Sequence, residues 1–197
     1  MKNLNDIWQE YINHNTLSTQ TLNDLIWYIE NDDTSETVVM VTDILVKECG
    51  GILTKKLVPY IAKQLEHEDE YVKELAINSL VGRLKLPEYA EKTLNIAQNN
   101  VSYGNAQGSA AASLGAVINK VDYNLRKKIA IYLYDVMAND SYDNLHKQSA
   151  YCSVLEAMEI PINLWPPIQR NFEIQNLVDK NLLEKFKVKY NINNDAA

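Results

Sequence analysis

This chain of 197 residues has few of the residues that stop, staple or charge a polypeptide for catalysis: six glycines, five prolines, two cysteines and three histidines. Cys49 and Cys152 lie far apart inside helical patterns. That spacing makes neither a metal-ligand set nor a redox pair, so reduced, buried thiols are expected. His14, His67 and His146 are scattered and have no neighbours that would complete a triad. No run of about 18 apolar residues exists, which argues against a membrane-spanning helix. The start, Met1-Lys2-Asn3-Leu4-Asn5-Asp6, lacks the apolar stretch of a secretory signal, so a cytoplasmic location is expected. No low-complexity segment or linker interrupts the chain. A single domain spanning 1–197 is therefore expected, with 191–197 as a frayed tail.

What is present is helical periodicity from end to end. Leu4, Ile7, Trp8, Tyr11 and Ile12 make one apolar stripe, and Leu22, Leu25, Ile26 and Ile29 a second, with Ser18 or Thr19 as its cap. Asn31-Asp32-Asp33 breaks the pattern before a third helix at 35–48, whose broader apolar surface (Val38, Val39, Val41, Ile44, Leu45) suits a helix covered on more than one side. Gly50-Gly51 supplies a left-handed stop. A fourth helix uses Leu53, Leu57, Val58, Ile61 and Leu65, and Pro59 predicts a kink or a start there. A fifth covers 70–83, Pro87 opens a sixth, and a seventh covers 106–119. The eighth runs from about Leu125 to Ala138 and the ninth from about Asp143 to Met158. Ile160-Pro161 and Trp165-Pro166-Pro167 forbid regular helix, and a last helix carries Leu177, Leu182, Leu183 and Phe186. The seventh helix is rich in small residues (Ala106, Gly108, Ala110, Ala111, Ala112, Gly115, Ala116), which predicts the closest helix crossing of the protein.

One small-then-large signature recurs. Ala76 and Leu80 have counterparts in Val41 and Leu45, Ala110 and Leu114, and Ala150 and Val154, with small-residue spacings of 35, 34 and 40. Periods of roughly 30–50 residues mark stacked helical hairpins. The segment Leu57 to Leu65, the acidic turn ending at Asp69, then Val72-Lys73 and Ala76…Leu80 resembles the HEAT-repeat pattern, with Lys73 in place of the usual arginine. Ala106-Gln107…Ala110…Leu114-Gly115 has lost the basic residue, and His146-Lys147…Ala150…Val154 keeps it. The resemblance covers roughly 34–160. It implies an all-α fold, a right-handed α-solenoid of antiparallel helix pairs with about ten helices, and it is nearly silent on function.

The charge is one-sided. Residues 1–50 hold nine acids and two bases, whereas 51–197 hold 17 of each, so the whole net charge of −7 lies in the first quarter. Such a field steers a basic partner and opposes binding of nucleic-acid phosphates. Twelve tyrosines against two phenylalanines add side chains common at interface hot spots. Candidate partner-binding residues are Asp24, Glu30, Asp32, Asp33, Glu36, Tyr28, Tyr71 and Tyr103. Trp8 and Trp27, on the stripes, are expected in the core.

Catalysis finds little support. His67-Glu68 resembles one metal-binding pair of the HEAT-like deoxyhypusine hydroxylases, which need several such pairs. HEAT-like DNA glycosylases need a basic groove; Lys55, Lys56, Lys63, Lys92, Arg126, Lys127 and Lys128 could contribute, with Trp165 and Asp140 as a forced catalytic pair. No catalytic residue, metal or cofactor is assigned, and the asparagine- and isoleucine-rich composition suggests an AT-rich bacterial genome. The expected function is a non-catalytic protein-binding module. Its first candidate role is as a bacterial immunity or inhibitor protein that neutralises a basic toxin such as a nuclease. A glycosylase-type enzyme and a scaffold or adaptor are the alternatives, and neither a nucleic acid nor a membrane is the expected partner.

Overall fold

Side-chain caps set most of the helix starts in this protein. A computed structural model describes residues 1–31, 35–48, 52–99, 105–166 and 174–192, with backbone alone at 35, 36, 42, 45–48, 52, 53 and 175. Among the described residues the protein is all-α, with ten α-helices and no strand. Two compact units emerge, Met1–Leu84 and Lys85–Ala197.

The first unit contains α1 (Leu4–His14), α2 (Thr19–Asn31), α3 (Ser35–Glu48), α4 (Ile52–Lys63) and α5 (Glu70–Ile77). Asn3 caps α1 by accepting from the Asp6 N–H, and Asn15 closes it in the left-handed region at φ 51°. The Ser18 hydroxyl accepts from the Thr21 N–H at 3.2 Å and starts α2, as the sequence predicts. Pro59 lies inside α4, which does not begin there. α4 ends in a 3₁₀ turn, Gln64–Glu66, and α5 continues as a π-helical turn, Asn78–Arg83, together covering the predicted 70–83 segment. α1 packs on α2 and α3, α2 on α3 and α4, and α3 on α4 and α5. Their shared core contains Ile7, Leu25, Ile29, Val38, Val41, Ile44, Leu57, Ile61, Ala76 and Leu80. Each fully buried aliphatic side chain contributes about 1.5–3 kcal/mol.

The second unit contains α6 (Ala90–Ala97), α7 (Asn105–Ser113), α8 (Tyr123–Ala138), α9 (Asn144–Ala157) and α10 (Lys180–Lys189). A 3₁₀ turn opened by Pro87 leads into α6. Asp122, Asp143 and Asp179 cap α8, α9 and α10. α6 packs on α7, α7 on α9, α8 on α9 and α10 on α8. Every described member of the repeated signature (Val41, Ala76, Leu80, Ala110, Leu114, Ala150, Val154) is fully buried. The predicted Gly50-Gly51 stop lies outside the described residues, as does the tail beyond 192.

The predicted seventh helix, 106–119, is shorter as an α-helix than its small residues suggest. α7 ends at Ser113 and gives way to 3₁₀ turns at Leu114–Ala116 and Ile118–Lys120. The cause is a side chain from α9. In a continuing α-helix the Gly115 N–H would bond the Ala111 carbonyl. Instead, that N–H donates to Ser153 Oγ at 2.8 Å, and the Ser153 hydroxyl donates to the Ala111 carbonyl at 2.5 Å. The hydroxyl is inserted into the ladder, a known cause of helix distortion. The approach is possible because residue 115 has no Cβ; one built there would lie 2.2 Å from the Ser153 carbonyl oxygen.

Candidate protein-contact surface

In the first unit α1 and α3 lie together but do not close. Leu4, Asn5 and Trp8 from α1 and Val39, Met40 and Asp43 from α3 line a groove of about 370 Å³. Each helix contributes positions i, i+1 and i+4, one turn of its surface. Ile7 and Tyr11 point inward and are buried, while Leu4, Trp8, Val39 and Met40 remain half-buried along the groove. The Trp8 ring stacks on buried Tyr11 at 6.0 Å between centroids, which holds it against the core. Asp43 is half-buried at the wall and has no hydrogen-bond or ion-pair partner among the described residues. The breadth of the third helix's apolar surface was legible in the sequence. That part of it remains open was not.

The acidity of this unit is unevenly used. It holds fourteen acids and seven bases, a net −7, whereas the second unit has twelve of each. Glu10 is consumed internally: it accepts from the Lys2 ammonium, from the Ser18 N–H at 2.6 Å and from the Thr21 hydroxyl at 2.7 Å. Those donors, Lys2 first, pull its pKa down to about 2. Asp24 is likewise internal. It is 6% exposed, accepts from the Lys2 backbone N–H at 2.8 Å and from Gln20 Nε2 at 3.0 Å, and its pKa is lowered by the Lys2 bond above all. This carboxylate ties the amino-terminal segment to α2 and presents little surface to a partner.

The other candidates divide. Glu30 is exposed and pairs with Lys63 at 3.1 Å. Tyr71 is 47% exposed, and Tyr28 is half-buried against Trp27 in an edge-on contact of 5.4 Å. Asp32, Asp33 and Tyr103 lie outside the described residues, as does the side chain of Glu36. Trp27 corrects the sequence expectation. It is 45% exposed, because Leu22, Leu25 and Ile29 take the inward face of α2 and residue 27 falls on the opposite side. Trp8 is half in the core and half in the groove.

The histidine on α9 is an interior residue. His146 is 4% exposed; its Nε2 lies 2.7 Å from the Tyr132 hydroxyl, which donates to the Ala97 carbonyl at 3.0 Å. That leaves Nε2–H as the donor to the tyrosine. Tyr142 packs edge-on at 4.9 Å, and desolvation lowers the His146 pKa against the opposing pull of Asp143. Gln107 donates from Nε2 to the carbonyls of Ala97 and Asn99, while its Oε1 is buried with no bonding partner among the described residues. Lys147, at the basic position of the repeat, is buried and pairs with exposed Asp140 at 3.2 Å; Lys73, in the same position of an earlier copy, pairs with Glu70 at 2.6 Å. Both lysines serve local ion pairs.

Two of the residues considered for nucleic-acid chemistry, Arg126 and Trp165, bond within the protein. The Arg126 guanidinium donates to the carbonyls of Ile118, Asn119 and Val121, and the Trp165 indole donates to the Ile160 carbonyl. Burial pushes the Cys152 thiol up to about 11, which leaves it unreactive near neutrality. Among the described residues, no three His, Cys, Asp or Glu side chains are grouped to hold a metal ion, and no helix is long and apolar enough to cross a membrane. No protein-family model, curated protein or solved structure matches this chain.

Proposed function

We propose that this chain is a non-catalytic, HEAT-like helical-repeat module that binds a basic protein through its amino-terminal unit. Its most specific role in this reading is that of an immunity or inhibitor protein that neutralises a basic toxin such as a nuclease. The observation that carries the reading is the coincidence, on one unit, of the entire net charge and an open apolar groove whose wall carboxylate has no partner among the described residues. The buried repeat positions and the packing of helices on their next and next-but-one neighbours in the first unit support the repeat reading. An acidic field speeds capture of a basic protein more than it deepens equilibrium affinity. The test is a pull-down from the native cell at low salt with a salt-step elution. One stoichiometric basic protein released by salt supports the proposal. Recovery of nucleic acid, or of no protein, overturns it.

A further inference from the structure

We infer that the α1–α3 groove seats a basic amphipathic helix of the partner, with an apolar side chain entering between Trp8 and Met40 and a lysine or arginine one turn away meeting Asp43. This inference rests on the protein-binding reading and specifies its contact. Three observations carry it. The lining is apolar except for Asn5 and Asp43, and neither has a partner among the described residues. The wall residues on each helix span four positions, about 6 Å of rise, which matches one turn of a third helix laid alongside and the i, i+4 spacing of its anchors. The unit around the groove carries −7, so the polar side of the ligand must be cationic to approach it. No strand is present among the described residues, so β-strand addition has no edge to use there.

The probe is a fluorescein-labelled amphipathic helix made only of leucine and lysine, followed by anisotropy at low salt. Two comparison peptides separate its properties: a serine–lysine peptide of equal charge and a leucine–glutamate peptide with the same apolar face. The inference expects binding of the leucine–lysine peptide alone. Asp43→Asn should weaken it by about fivefold and Met40→Arg by more than about tenfold, while Glu68→Gln, the same charge change in the same unit but outside the groove lining, should alter it by less than about twofold. Circular dichroism checks each fold. Should Met40→Arg fail to fold, Asn5→Arg at the exposed groove edge replaces it.

Equal binding of the serine–lysine peptide, or equal losses for Glu68→Gln and Asp43→Asn, would overturn the inference, because a general field would then explain the affinity. Self-association abolished by Met40→Arg would overturn it too, since a second copy would occupy the groove. A native basic partner captured equally well by Met40→Arg and Asp43→Asn sinks the groove assignment and leaves the protein-binding reading standing. Groove-specific peptide binding with no basic protein recovered from the cell does the reverse.

Discussion

Met1–Leu84 and Lys85–Ala197 are both built of helices, to different ends. The first carries all of the net charge, packs through branched aliphatic side chains and leaves an apolar groove open between α1 and α3. The second is neutral, packs α7 on α9 through alanines and a glycine, and threads hydrogen bonds through its interior: Ser153 to Ala111, Tyr132 to Ala97, Tyr190 to Asn119, and the Asp179 N–H to the Tyr151 hydroxyl. Interior polar bonds are directional and leave a costly orphan if one member is lost, so they specify one arrangement of neighbouring helices. The contrast teaches a division between a unit whose interior is keyed by directional bonds and a unit that carries the acidic excess and keeps a groove open between two of its helices.

The largest effect expected to break this contrast is Gly115→Ala. The added Cβ meets α9 backbone, which cannot yield as a flexible side chain can, so a loss of about 3 kcal/mol is expected. Urea unfolding monitors it region by region: in Trp165→Phe the remaining tryptophans, Trp8 and Trp27, report the first unit, and in Trp8→Phe/Trp27→Phe only Trp165 reports the second. A midpoint shift seen by Trp165 and absent from Trp8 and Trp27 sharpens the division; equal shifts dissolve it. Ser153→Ala ranks next, at about 2 kcal/mol, since it strands the Gly115 N–H and the Ala111 carbonyl in the interior. A neutral result would mean that the α7 ladder closes without the hydroxyl.

Acid should separate the units in sequence. The folded pKa of His146 is depressed, so its neutral form stabilises the second unit above the ordinary histidine range, about 6.5; that contribution is lost as pH falls from there toward the folded value. The folded pKa of Glu10 is also depressed, so its contribution to the first unit is complete above 4.5 and is lost as pH falls toward about 2. Unfolding by urea in mildly acidic buffer should therefore weaken the Trp165 signal before the Trp8 and Trp27 signal, and His146→Gln should remove the early loss. The smallest effect is Glu30→Gln. Its pair with Lys63 is exposed on both sides, so a change within about 0.5 kcal/mol is expected, and a larger loss in thermal unfolding would assign that pair a packing role.

The helices themselves were legible because local chemistry writes them: the cap at Ser18, the proline at 87, and apolar positions every three or four residues; the caps at Asn3, Asp122 and Asp143 were added by the structure. The close approach of the small-residue helix was legible for the same reason, since Ala110, Ala111 and Gly115 remove the bulk that keeps backbones apart. The sequence does not say which distant side chain uses that room. Ser153 lies 38 residues from Gly115, and only folding places its hydroxyl in the ladder and turns α7 into 3₁₀. The same limit governs the candidate site. Net charge adds up along a chain, so the acidic amino-terminal quarter was visible from composition. Whether each carboxylate is spent inside or left facing outward depends on its neighbours in space: Asp24 is consumed by the Lys2 backbone and Gln20, while Asp43, beside Trp8 and Met40, has no partner among the described residues. Periodicity and charge are local, additive properties that the sequence determines by itself; exposure and pairing are settled by contacts between distant residues, which exist only in the tertiary structure.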